Sequence, residues 1–193
     1  MPSFKDLTNY LQEVGATEVK HSDKGYLAHA IGVYNDLKEW GWDEEMARIG
    51  IFHSIYGTEL FQGFTLPLER RGEVRDLLGE RAERICWLNC AIERPQFDKE
   101  IRKTEGPYQI LDRFSDELVD VSDEDFNALC EMHLIDWLEQ VGRSGAFDYR
   151  RTGYHDLAHR IGGTCLEKYE AVFAEAGEQT WTREYEWPES VPR

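Results

Sequence analysis

Six histidines occur in the chain, and four of them fall on or beside apolar helical stripes. His29 is in register with Val33 and Leu37. His53 continues a stripe begun by Met46 and Ile49. His133 shares a face with Phe126, Leu129 and Trp137, and Asp136 follows it by one turn, so imidazole and carboxylate point to the same side. His21 stands just ahead of the helix that carries His29, where the chain can fold back. A buried polar group left unpaired costs about 1–3 kcal/mol, so groups on such faces need partners. One shared metal ion satisfies several at once, and imidazole with carboxylate suits zinc, iron or manganese. The plainer account of any single one is a hydrogen-bonded core histidine. The expectation is a divalent transition metal (Fe, Mn or Zn), held as one ion by members of the set His21, His29, His53, His133 and Asp136.

Other residues bear on a substrate. Tyr56, Gly57 and Thr58 leave the His53 helix at the expected mouth of the helical domain. Gly57 can take positive φ and turn the chain, which presents the Tyr56 and Thr58 hydroxyls; the alternative is a helix C-cap with packed aromatics. Arg70 and Arg71 can grip an anion through their forked donors, or be solvated like most helix-surface arginines; Arg94 is a weaker candidate. The segment "YHDLAH" at 154–159 holds a His-Asp dipeptide and two histidines four apart. The dipeptide opens a helix rather than ending an apolar one, and no glutamate follows as in H-E-x-x-H zinc sites, so it is set aside.

Helical periodicity supplies the scaffold. Ser3 caps a first helix with Asp6 at its third position; Phe4, Leu7, Leu11 and Val14 form its stripe and Gly15 ends it. A second helix runs from about Asp23 to Trp40 and stops at Gly41. Asp43 caps a third, to about Tyr56. Residues 57–67 read as a loop rich in glycine and aromatics, followed by two helices joined at Gly79. Residues 93–121, broken by Pro95, Gly106 and Pro107, read as irregular with one short helix near Ile110. Ser122 opens a long helix to about Val141, and a last helix from Tyr154 is kinked at Gly162 and Gly163. No strand ladder is evident, and the fold class is all-α. One domain spans residues 1–177, and the aromatic tail 178–193 packs on the body or on a partner subunit.

With 38 acidic against 22 basic residues the net charge is −16. That field repels phosphate backbones and anionic membranes, so neither nucleic acid nor membrane is an expected partner. A small anionic substrate in a pocket stays open, because a local field can differ from the net charge. Cys86, Cys90, Cys130 and Cys165 form no C-x-x-C pair and read as buried thiols. No signal peptide and no stretch of about 18 apolar residues is present, which favours the cytoplasm.

A helical histidine, an apolar helix ending in His-Asp and a late helical aspartate form the signature of the HD superfamily of metal-dependent phosphohydrolases. The chain resembles it through His29, "IGIFHS" at 49–54 and Asp136. It is more closely similar to a bacterial branch of that superfamily: "HS" at 21–22, "YLAHAIGVYNDLKEWG" at 26–41, "FHSIYGTELF" at 52–61 and "LERRGEVRDLLGERAERI" at 68–85 carry the branch pattern. The resemblance covers roughly residues 15–141. It implies an HD-like helical bundle with an irregular insertion, but no fixed activity. Ser54 stands where the superfamily has a metal-binding aspartate, and serine supplies no charge to offset a divalent ion. His21, His29 and His53 with Asp136 or His133 can hold one metal instead, or Glu59 can supply the missing carboxylate from the loop.

Two functions follow as expectations. One is a divergent metal-dependent enzyme, a hydrolase or an iron-type oxygenase, acting on a small polar or anionic molecule, with Tyr56, Glu59 and Arg70 as its catalytic residues. The other is a non-catalytic binding or interaction protein that kept the pocket. A homodimer assembled through the tail is a further expectation.

Overall fold

In the computed structural model, residues 2–16, 20, 21, 24–174 and 176 are described, and the chain divides into two compact units, Met1–Ile92 and Glu93–Arg193. Both are mainly helical. The strands among the described residues are limited to two two-stranded ladders. No helix of the described residues is long and apolar enough to cross a membrane. All four cysteines are buried thiols outside any disulfide.

In the first unit, α1 (Phe4–Glu13) opens on a capping box. The Ser3 hydroxyl accepts from the Asp6 N–H at 3.3 Å, and the Asp6 carboxylate takes the Ser3 N–H at 2.7 Å. A short ladder, β1 (Lys20–His21) against β2 (Lys24–Gly25), occupies part of the segment expected to begin the second helix, so α2 starts later, at Tyr26, and runs to Glu39. Asp43 caps α3 (Glu44–Phe52) by accepting from the Met46 N–H at 2.8 Å. Helix α3 ends at Phe52, short of the expected Tyr56. Beyond it the bonds tighten to turns, with Ile55 N–H donating to the Phe52 carbonyl and Gly57 N–H to that of Ser54, and Gly57 takes φ +74. Leu66 N–H then bonds the Ile55 carbonyl at 2.8 Å and closes the loop between them. A 3₁₀ turn (Leu68–Arg70) leads into α4 (Arg71–Leu78) and α5 (Glu80–Ala91), joined at Gly79 as expected. Helices α2 and α3 pack closely because Gly50 lacks a side chain: a Cβ there would lie 2.4 Å from Leu37 Cδ1 and 3.2 Å from Val33 Cγ1.

In the second unit, residues 93–121 are more regular than the sequence suggested. Glu93 caps α6 (Arg94–Glu100), taking the Gln96 N–H at 2.7 Å, with Pro95 in the first turn where its missing N–H costs nothing. No helix forms near Ile110. An antiparallel hairpin stands there instead, β3 (Tyr108–Asp112) and β4 (Glu117–Val121), with Ile110 opposite Val119. Its turn is built by Asp112, whose carboxylate accepts from Phe114 N–H at 2.9 Å and Ser115 Oγ at 2.7 Å. The other edge of β3 is closed by α6: Gln96 donates to the Gln109 carbonyl and accepts from Leu111 N–H, both at 3.0 Å, and Glu100 accepts from Gln109 N–H at 3.0 Å. Ser122 caps α7 (Asp123–Ser144), which Gly145 ends at φ +66. The expected single kinked helix is two, α8 (Arg151–Ile161) and α9 (Gly163–Ala174), because Gly162 at φ +69 breaks the run. Helices α7, α8 and α9 pack on one another. The tail 178–193 lies outside the described residues.

Candidate metal centre

Helix α2 and the C-cap of α3 bring His29 and His53 together inside the first unit. Both are buried, at 0 % and 1 % exposure. Their Nε2 atoms approach to 3.3 Å with the rings nearly perpendicular, at 89°. The Nδ1 of His53 lies 2.7 Å from the Gly50 carbonyl. Only a protonated nitrogen bonds a carbonyl, so Nδ1 carries a hydrogen, and in the neutral ring Nε2 is the lone-pair nitrogen facing His29. The backbone beneath His53 is fixed as well: its carbonyl accepts from Asn89 Nδ2 at 2.9 Å and from the Cys90 thiol at 3.4 Å, both on α5.

The donor chemistry fits a transition ion. Two nitrogens bound at about 2.0–2.1 Å to a tetrahedral ion lie about 3.3–3.4 Å apart, the separation observed. A carbonyl holding the far nitrogen of a ligating histidine is the usual outer-shell arrangement. Nitrogen donors suit zinc, iron and manganese better than magnesium or calcium.

The neighbours of the pair are occupied differently from the sequence expectation. The Ser54 hydroxyl donates to the Tyr26 hydroxyl at 3.4 Å, and the Tyr26 ring is stacked on Phe61 and leans on Phe64 from the loop. Tyr56 is 2 % exposed rather than at an open mouth. Its hydroxyl donates to Glu83 Oε1 at 2.9 Å. Burial, with Glu83 beside it, pushes the Tyr56 phenol well above its ordinary pKa, so it serves as a donor and not as a base. Arg71, not Arg70, turns inward. It holds Glu83 with both arms at 2.6 and 3.0 Å and lies over the Trp87 ring at 4.6 Å. Burial works against the Arg71 charge, but Glu83 outweighs it and raises the guanidinium pKa. Arg70 is exposed and pairs with Glu73. Glu59 is exposed on the loop. His21 lies in β1 opposite Lys24.

His133 and Asp136 belong to α7 in the second unit. The Nε2 of His133 accepts from Arg150 Nη1 at 2.9 Å, while its ring packs against Phe97 and Tyr154. The Asp136 carboxylate accepts from Gln140 Nε2 at 3.1 Å. The burial of His133 follows from its stripe. Its cationic neighbour comes from a loop 17 residues on, and no periodicity announces it. His155 lies beside Asp156, which also pairs with Arg102.

Residues 10–94 match a family model described as a domain of unknown function (DUF6817), a span that holds both histidines of the pair and less than half of the chain. No curated protein and no solved structure matches the chain.

Proposed function

We propose that the chain is an HD-like metal-dependent enzyme in which His29 and His53 ligate one divalent transition ion and the substrate is a small polar or anionic molecule. The supporting observation is the 3.3 Å approach of two buried Nε2 atoms, one of which presents its lone pair. Asp136 is the third ligand in this reading, nominated by the sequence resemblance, which gives a late helical aspartate that role. Ser54 adds no charge and its hydroxyl is engaged with Tyr26, which favours one ion over a bridged pair. Such an ion, when bound, polarises a substrate oxygen and lowers the pKa of a water toward about 7. Around it, the chain's own residues orient and exclude water: the Gly50 carbonyl fixes the His53 tautomer, and Tyr26 with Phe61 and Phe64 forms an aromatic wall one turn from His29. Hydrolase and oxygenase chemistry both suit two imidazoles and a carboxylate. The buried thiols suit a reducing compartment, the cytoplasm.

One observation favours the non-catalytic alternative: 3.3 Å is also within reach of a long N–H···N bond from His29 to His53. Elemental analysis of the purified protein, with chelation followed by thermal unfolding, separates the two. The enzyme reading expects near one equivalent of metal per chain. Stripping it lowers the unfolding temperature, iron, manganese or zinc restores it, and His53→Ala abolishes the response; metal at 100 times its Kd stabilises by about 2.7 kcal/mol. Absence of metal, with no stabilisation by any of the three ions, overturns the enzyme reading. Iron with substrate-dependent oxygen consumption selects the oxygenase; turnover without oxygen selects the hydrolase.

A further inference from the structure

We propose that the second unit holds a binding site for a small oxyanion, a phosphate or carboxylate group, formed by Arg94 of α6, Trp137 of α7 and Tyr154 of α8. The first observation is Trp137. It is 8 % exposed, and its indole N–H is buried with no hydrogen-bond partner among the described residues. Buried donors are nearly always satisfied in folded proteins, and an exception points to a missing acceptor.

The surroundings of that indole are built from donors. Trp137 stacks on Tyr154, with centroids 4.9 Å apart and planes within 5°, and leans on Tyr149 at 5.3 Å. Tyr154 is 2 % exposed. Burial raises the pKa of its phenol, while the charges of Arg150 and Arg94 act on it in the opposite sense. Arg94 is 8 % exposed and donates through Nη1 to the Tyr149 hydroxyl at 2.9 Å. Arg150 lies over the Tyr154 ring at 4.9 Å. Its own charge is matched by both oxygens of Asp98, and it donates to His133. Its non-glycine φ of +43 holds that geometry at the start of α8. Trp137, Tyr149 and Tyr154 therefore form one aromatic cluster that carries the unmet indole N–H, and the Arg94 guanidinium is bonded to it through Tyr149. A guanidinium and an indole N–H only donate and a phenol can donate, so the set complements an acceptor-only ligand, and ionised phosphate and carboxylate are such ligands.

Charge sets the kind of oxyanion. Asp98 offsets Arg150, and Asp136, the residue before Trp137 on α7, also acts on Tyr154. Two cations facing two carboxylates leave little net field, so recognition rests on directed hydrogen bonds rather than on attraction. The site takes hydrogen-bonding anions and discriminates against chloride. It is formed by residues of one unit, and because Asp136 is also the third metal ligand proposed above, the site is tested on the metal-free chain.

The test uses the full chain, stripped of metal by chelator and labelled with ¹⁵N. The chain has six tryptophans, and the indole signal that Trp137→Phe removes is that of Trp137. Inorganic phosphate and acetate are titrated separately, with sodium chloride at matched ionic strength as control. The proposal expects the Trp137 signal to shift saturably with at least one of the two oxyanions and not with chloride. Arg94→Lys, which keeps the charge and loses the fork, then weakens that binding about tenfold. A response to phosphate alone or to acetate alone identifies the group recognised. A Trp137 signal unmoved by both, or moved equally by chloride, overturns the site. Should either variant fail to fold, six indole signals insensitive to both anions overturn it from the wild-type titration alone.

Discussion

Replacing Glu83 by alanine removes the acceptor on which three hydrogen bonds of the first unit converge. Its carboxylate, 1 % exposed, takes both arms of Arg71 at 2.6 and 3.0 Å and the Tyr56 hydroxyl at 2.9 Å. Removing one partner of a buried ion pair costs about 3–5 kcal/mol. The Arg71 side chain is a quarter exposed and keeps its contact with Trp87, so water and the ring recover part of the loss. The cost of Glu83→Ala is then near the lower end, about 3 kcal/mol. Tyr56→Phe removes a single bond to a charged acceptor and costs about 1.5 kcal/mol. Combined, the two are not additive: once Glu83 is gone the Tyr56 hydroxyl is a liability, and Tyr56→Phe becomes neutral or favourable, a coupling of about 1–2 kcal/mol. Urea unfolding of the four proteins, followed by far-ultraviolet circular dichroism, measures all three quantities. A Glu83→Ala cost below about 1 kcal/mol, or strict additivity, would refute the view that this network holds α4, α5 and the turns after α3 together. The same series separates structure from chemistry, since Tyr56→Phe should leave metal content unchanged.

Two further outcomes follow from burial and close approach. Burial pushes the thiols of Cys130 and Cys165 up to about 12, from an ordinary 9.0. A raised folded pKa means that the folded state holds these protons more tightly, so their contribution to stability is complete below pH 9 and is lost as pH rises from 9 toward 12. Urea midpoints at pH 8, 10 and 11 should fall in that order, and less steeply in Cys165→Ala; an unchanged midpoint at pH 11 contradicts the assignment. Gly50→Ala should destabilise by about 1–3 kcal/mol through overpacking, because its Cβ would lie 2.4 Å from Leu37 Cδ1. It should also weaken metal binding, because the carbonyl that fixes His53 belongs to the same residue; a variant of full stability and metal affinity contradicts the packing argument.

Legibility in the sequence tracked how local each determinant is. The caps at Ser3, Asp43 and Ser122 and the joint at Gly79 are read from a few neighbouring residues, and all four stand. The hairpin was not legible, because the apolar residues of β4 do not keep one face: Leu118 is 58 % exposed while Val121 is buried. A strand with a weak period of two looks like loop. The helical stripes did identify His29 and His53 as inward-facing. The choice between Arg70 and Arg71 was beyond such reading, since a 3₁₀ turn shifts the register there and sends adjacent arginines to opposite environments. The donors around Trp137 were invisible for another reason, as they come from α6, α7 and α8 and meet only through tertiary packing.

The sealed edge of β3 gives the hairpin a direction. Strand edges recruit further strands because they offer a row of unmet peptide groups. On the β3 side that row is answered by Gln96, whose amide imitates a neighbouring backbone, and by the Glu100 carboxylate. A passing chain finds nothing there to copy. Among the described residues the other border is β4, where Glu117 and Asp120 repel acidic segments, and the chain as a whole carries a net charge of −16. The two-stranded sheet is thereby a dead end for templated growth: one border is capped by imitation and the other is defended by charge.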